Sequence, residues 1–274
     1  MAYNTAYDLD SLMVNTKAAT VYTAQESSLF LAGGIVPAVQ LPAGSISAQI
    51  PVLGSVTATK LTSGSHDAED FSAVGIADTK VVITSNIYAA REVVRDLGGI
   101  DPNELGRVLG NAVSASFDKD VIAAMSGLTG SADTGTLGLD DLFDAAAQIR
   151  AAGETGPLVG VISPAAAAEL MKVIGSTAYA GGTFQSEAMT NGFVGRIAGI
   201  TLFQSAFATA AVSGVTGFKG AIFAQDALRI AMFRNVDLEV QRRAAAVGND
   251  IVASLHAGVG VVDATRGVKL VDAA

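Results

Sequence analysis

Cysteine is missing from this chain of 274 residues, and histidine is nearly so, with only His66 and His256. The first absence excludes disulfides, thiolate metal sites and cysteine nucleophiles together. Two histidines argue against a multi-histidine metal site within one subunit. Charge is scarce too: 16% of residues are Asp, Glu, Lys or Arg, with 17 basic against 26 acidic side chains, a formal charge of −9. The basic residues are scattered, Arg242–Arg243 being the only adjacent pair, whereas a phosphate-reading surface needs clustered Lys and Arg. Direct nucleic-acid recognition is disfavoured, although the composition allows a protein that stands near nucleic acid without gripping it. No uninterrupted apolar run of about 20 residues exists to span a membrane, and the start, MAYNTAYDLDSL, lacks the basic and apolar regions of a signal peptide. These features predict a soluble protein made inside the cell.

Half of the residues are nonetheless apolar. So much apolar surface with so little charge predicts either burial against other subunits or an Ala-rich core. The clearest regular element is Asp101 to Gly127, DPNELGRVLGNAVSASFDKDVIAAMSG. Asp101 can cap a helix whose first position is Pro102, and Glu104 completes a capping-box-like start. Leu105, Val108, Leu109, Ala112, Val113, Phe117, Val121, Ile122 and Met125 recur at three- and four-residue spacings, predicting one apolar stripe, and Gly127 is a natural stop. A rod of roughly 39 Å results, on which the rest of the chain must pack.

Before that helix, residues 1 to about 28 show no clear helical or strand period and read as an extended arm, with a mobile terminus as the alternative. Ser28 to Pro42 is apolar but broken by Gly33, Gly34, Pro37 and Pro42. Ile46, Ala48, Ile50 and Val52 then alternate along one strand, and Val74, Ile76, Val81 and Ile83 supply a returning strand. Between them lies a polar stretch carrying His66, Asp67, Glu69 and Asp70. This predicts a two-stranded flap with an acidic tip, lying either on its own domain or on a neighbouring molecule, because an isolated hairpin of about 40 residues is marginal in water. Ser85 to Leu97 has Ile87, Ala90, Val93, Val94 and Leu97 at helical spacing, with Arg91 and Arg95 on another face, and reads as a helix.

Beyond Gly127 helix and strand alternate. Asp140 is placed to cap a helix ending at Gly153, Leu158 to Ile162 is a buried strand, and Ser163–Pro164 opens a second helix. Gly175 to Gly192 is a glycine-rich excursion. Gly195 to Ser205, Phe218 to Ala224 and Ala227 to Phe233 read as strands of an α/β domain spanning roughly 138–235, and 236–274 as long closing strands.

No catalytic constellation emerges. Gly258-Val259-Gly260 has Asp263 where a dinucleotide-binding turn needs its third glycine, and neither a phosphate loop nor a GxSxG elbow is present. His66 reads as solvated and His256 as a sheet residue. Asp140 and Asp141 are helix-start residues, and Asp118 and Asp120 flank Lys119 on a polar, solvated or subunit-facing side of the long helix.

The order of parts, and several stretches within it, resemble the HK97-fold major capsid proteins of tailed bacteriophages, most closely the T7-like short-tailed type. Gly44 to Gly64 is similar to their extended loop, Ala68 to Leu128 to the passage from loop to spine helix including Ser116-Phe117-Asp118, Asn191 to Ser205 to a segment of their A-domain, and Gly258 to Val271 to their C-terminal strands. The resemblance implies an α+β capsid fold: an extended N-terminal arm (1–28), a peripheral (P) domain from 29–42 and 81–137 with spine helix 102–126, an extended E-loop (43–80), an α/β axial (A) domain (138–235), and closing strands (236–274).

It also implies a structural, non-enzymatic protein without cofactors. Copies would join as hexamers and pentamers in an icosahedral virion shell, assembled in the host cytoplasm with scaffolding and portal proteins and open to a decoration or cement protein. The shell would enclose double-stranded DNA without reading its sequence and without a membrane. The chain is short for the family, so a separate scaffolding protein is expected. Assembly contacts are expected at Ile46, Ile50, Val52, Lys60, Asp67, Glu69 and Asp70. Some relatives crosslink a loop lysine to a neighbour's asparagine; for Lys60 and Asn249 no crosslink is predicted. The alternatives are an encapsulin-type compartment of the same fold and a soluble α/β enzyme, which would be a small oligomer with a ligand pocket.

Overall fold

The computed structural model describes residues 6–31, 35–42, 44–53, 58, 75–76, 78–95, 101–133, 135–174, 195–197 and 199–272. Helix α2, Pro102–Met125, is the axis of the larger core. Asp101 caps it by accepting the Asn103 backbone N–H, and Leu105, Leu109, Val113, Phe117, Val121, Ile122 and Met125 are all buried. Two members of the expected stripe are not, since Val108 is 60% exposed and Ala112 is also on the surface. The stripe is therefore narrower, and a second buried row runs beside it: Gly106, Gly110, Ser114 and Asp118, spaced by four.

That second row receives helix α1, Ala6–Ser27. The segment expected as an extended arm is thus a helix. Its period is carried by small and hydroxylated residues: Thr16, Thr20, Thr23 and Ala24 are buried, and no large apolar side chain from Val14 onward marks the stripe. A Cβ on Gly106 would lie 2.6 Å from the Thr16 carbonyl, and one on Gly110 2.6 Å from that of Thr20, so glycine permits helix contact closer than side chains allow.

Beneath α2 lies a four-stranded sheet in the order β1 (Ala38–Gln40), β10 (Leu228–Arg243), β11 (Gly248–Val261), β4 (Asn86–Arg95). The segment read as a helix at Ser85 to Leu97 is strand β4, paired antiparallel with β11 over its whole length. Its helical spacing was coincidental: Ile87 is 68% exposed, while Tyr88 is buried with its ring edge-on to Phe117 at 5.6 Å. Tertiary pairing decides such a short, β-branched segment. The two strands expected around Phe233 and Val236 are one strand, β10, with register irregularities between Met232 and Asp237, so the expected boundary at 235 falls inside it.

The second layer is a six-stranded sheet, β5 (Gly130–Asp133), β12 (Gly267–Val271), β9 (Phe218–Ala224), β6 (Leu158–Ile162), β8 (Ile200–Gln204), β7 (Arg196–Ile197), in that order. Helices α3 (Leu139–Ala151) and α4 (Pro164–Ile174) bury Leu142, Ile149 and Leu170 in the core they share with this sheet. The α3 cap differs from expectation: Gly138 precedes the helix and donates its N–H to Asp141 at 2.7 Å, so Asp140 is a first-turn residue and not the cap. Ser163 opens α4 by accepting the Ala166 N–H. A short helix, α5 (Ala210–Ser213), packs against α2.

Candidate assembly surfaces

Strands β2 (Ser47–Leu53) and β3 (Asp78–Thr84) form the separate two-stranded sheet expected as the flap's base. Ala48 opposes Ile83, and these two pack with Leu41 and Ala231 in a small core that Ile50, Val81 and Phe233 flank. Two glycines hold the hairpin here. A Cβ on Gly258 would fall 2.0 Å from the Thr84 carbonyl, and one on Gly260 2.7 Å from Ile83, so both let the chain cross β11 closely as it passes from β3 towards β4. The Gly258-Val259-Gly260 pattern thus serves packing.

The expected contact residues divide accordingly. Ile50 and Val52 are half-buried on this base, whereas Ile46, just before β2, is 73% exposed, although its carbonyl accepts the Ser85 N–H. Val82 and Ile76 are exposed as well. Lys60, Asp67, Glu69 and Asp70 lie outside the described residues, as do His66, Val74 and the excursion from 175 to 192. The base of the hairpin thus presents separate bulky apolar side chains to solvent. Sequence reasoning passed over Val82 because it alternates with the buried Ile83.

At the α1–α2 seam, Asp118 is buried, contrary to its expected polar placement. It accepts Ser28 Oγ at 2.6 Å and the Leu29 N–H at 3.0 Å, while Ser28 Oγ accepts the Phe30 and Leu31 N–H groups. Ser27 and Ser114 hydroxyls meet at 2.8 Å. Burial pushes the Asp118 carboxyl above the usual range, and its hydrogen bonds offset that only in part. Asp120 accepts the Tyr88 hydroxyl at 2.7 Å, and burial together with that bond raises the phenol's pKa. Lys119 stands over the Phe207 ring. An open groove of about 510 Å³ runs beside the seam, lined by Ala19, Tyr22, Thr23, Ser27, Arg107 and Asn111.

Strands of the four-stranded sheet also carry ion pairs. Arg91 clasps Asp250 with both ends of its guanidinium, and Asp237 is shared by Lys17 of α1 and Arg234. Their hydrogen bonds hold the Asp250 and Asp237 carboxyls below the usual range. In the other layer Lys219 joins Glu169, Asp272 and the Gly135 carbonyl, tying α4, β9 and the end of the chain together. His256 stacks on Phe233, as befits a sheet residue. Among the described residues no three His, Cys, Asp or Glu side chains converge as a metal site, and no helix is long and apolar enough to cross a membrane.

No family model matches the sequence, and no curated protein does. Solved structures do match the fold. The chain is similar to the capsid of cyanophage P-SCSP1u (TM-score 0.65, 19% identity, covering 87% of this chain and 86% of that one). It is similar to the head of Helicobacter pylori bacteriophage KHP40 (0.67, 11%, 86% and 87%). It also resembles a virus-like particle from Pyrococcus furiosus (0.63, 14%, 94% and 98%). At such identities likeness speaks for architecture: this chain has the HK97-like α+β fold of phage capsid structures.

Proposed function

We propose that this chain is the major capsid protein of a tailed phage, building through hexamers and pentamers an icosahedral shell around double-stranded DNA. One observation carries the reading: the likeness to capsid and head structures extends over 86–87% of both chains. The exposed Ile46, Ile76 and Val82 around the hairpin support it, since such side chains gain by burial on a neighbour. In this reading α1, α2 and the four-stranded sheet form the peripheral domain, the six-stranded sheet with α3 and α4 the axial domain, and residues 43–80 the E-loop. Ile46, Ile50, Val52, Lys60, Asp67, Glu69 and Asp70 make contacts between subunits.

The role is structural and non-enzymatic. A T7-like short-tailed particle is the closest type, assembled in the host cytoplasm with scaffolding and portal proteins. A cargo-holding compartment of the same fold is the second reading, kept because the structures the fold matches include a virus-like particle from Pyrococcus furiosus as well as phage capsids. Negative-stain electron microscopy of the chain expressed with its neighbouring genes, with light scattering for particle mass, tests both. Closed shells or hexamer lattices are expected. A uniform small oligomer even with a scaffolding candidate present would overturn the shell reading, and shells filled by a co-expressed enzyme without portal or terminase genes nearby would favour the compartment.

A further inference from the structure

Helix α1 is held mostly by small and polar groups. Thr16, Thr20, Thr23 and Ala24 are buried in its seam with α2, whereas Val14 and Tyr22 are each 66% exposed and Val21 is half-buried. The grip comes from close backbone approach over Gly106 and Gly110 and from polar contacts: Ser27 with Ser114, Ser28 and Leu29 with Asp118, and Lys17 with Asp237. Phe30, just beyond, is buried in the larger core, so the chain is anchored there and Leu29 stands at the joint. Asp118 is only 3% exposed, and the groups it accepts from, the Ser28 hydroxyl and the Leu29 N–H, are neutral. The charged groups of the surrounding elements are engaged elsewhere: Lys119 stands over the Phe207 ring, Asp120 accepts the Tyr88 hydroxyl, and Asp237 on β10 pairs with Lys17 and Arg234. Among the described residues no cation compensates this carboxyl, and its ionised form is disfavoured by burial.

We propose that α1 is a strap that opens as a unit about Leu29 while the rest of the subunit stays folded, and that a proton on Asp118 seats it. With the carboxyl neutral, the seam closes around an uncharged group. Once it ionises, hydration of the charge favours lifting α1 and the Ser28–Leu29 corner, which uncovers the row of Gly106, Gly110, Ser114 and Asp118. Few large apolar side chains leave the core in that step, which places the strap at the low-stability end of the molecule. The Lys17–Asp237 pair responds to pH in the opposite sense, weakening in acid as Asp237 is protonated. Opening is therefore least near about pH 3.9 and rises on either side. The device belongs to the single subunit and does not depend on the shell reading.

Because the chain has no cysteine, a single introduced thiol reports opening. Thr20→Cys places one on the buried seam face of α1, Ala18→Cys on its exposed face, and Val113→Cys in the core below α2; Thr23→Cys is the second seam position if Thr20→Cys does not fold. The rate at which an aromatic disulfide reagent labels the seam thiol, divided by that of the exposed thiol, cancels the reagent's own pH dependence. This ratio is expected to rise with pH by up to about tenfold per unit from about 3.9 to the folded pKa of Asp118 and then to level off. Adding Asp118→Asn should remove the rise. A ratio that does not change with pH overturns the proposal, as does one that rises equally with Asp118→Asn. Labelling of Val113→Cys in step with Thr20→Cys also overturns it, since the whole subunit would then be unfolding.

Discussion

Asp118, in the C-terminal half of α2, accepts a hydrogen bond from the hydroxyl of Ser28, the residue directly after α1, at 2.6 Å. One buried carboxylate therefore fixes where the N-terminal helix ends and where the chain turns towards Phe30. Asp118→Ala leaves the Ser28 hydroxyl and the Leu29 N–H without their acceptor, and should cost about 1–3 kcal/mol. Loss of hydrogen-exchange protection should concentrate at residues 16–31, as native-state exchange would report.

The same carboxyl gives the seam a pH dependence of known sign. Its folded pKa is raised, so its contribution is complete below the unfolded value of about 3.9 and is lost as pH rises through the folded pKa. Asp237 and Asp250 are held down, so theirs is present above about 3.9 and lost as pH falls through their folded pKa values. Acidification from neutrality should tighten α1 on α2 as the pH falls through the raised pKa of Asp118, and acid below about 3.9 should weaken the Arg91–Asp250 pair and the hold of Asp237 on Lys17 and Arg234. Asp118→Asn should flatten the first trend in exchange rates corrected for intrinsic pH dependence, and leave the second.

Gly110→Leu places a side chain where 2.6 Å separates an added Cβ from the Thr20 carbonyl. Overpacking of this kind typically costs about 1–3 kcal/mol, so α1 should open about 5–150-fold more often. Tryptic cleavage at Lys17 should accelerate while the rest of the chain keeps its unfolding midpoint.

Gly258→Ala sets a methyl 2.0 Å from the Thr84 carbonyl oxygen, against the Thr84–Ser85 backbone. A loss of about 3 kcal/mol is expected, read as a lower urea midpoint, together with faster proteolysis of the β2–β3 hairpin.

Charge at the flap is tested in the assembled particle. Replacing Asp67, Glu69 and Asp70 by Ser or Asn should lower particle thermal stability most at low salt, if the acidic tip meets a basic site on a neighbour. Boiled, denatured particles should run as single chains, because no crosslink between Lys60 and Asn249 is expected; a covalent ladder would contradict this.

What could be read from the sequence followed the size of the side chains that carry each period. The α2 stripe is written in Leu, Val, Phe, Ile and Met, and seven of its nine expected members are buried. The α1 stripe is written in Thr, Ala and Ser, and its docking row on α2 in Gly, Ser and Asp, so a search for apolar periodicity sees neither. The burial of Asp118 was illegible for the same reason, since only the partner helix makes that position interior. Strand β4 shows the opposite fault: its apolar residues fit a helical period by chance, and pairing with β11, more than 150 positions later, decides the matter. The β2–β3 base was legible because its alternation is local.

That β11 pairs with β4, and β12 inserts between β5 and β9, bears on the timing of folding. The four-stranded sheet cannot close before β11 (Gly248–Val261) has been made, nor the six-stranded sheet before β12 (Gly267–Val271). Contacts of such sequence separation form slowly, and the early strands wait unpaired meanwhile. A chain cut short before Gly248 lacks both closing strands, and one cut short before Gly267 leaves the six-stranded sheet open between β5 and β9. Synthesis as far as Val271 becomes a checkpoint for folding, built into strand order and needing no separate factor.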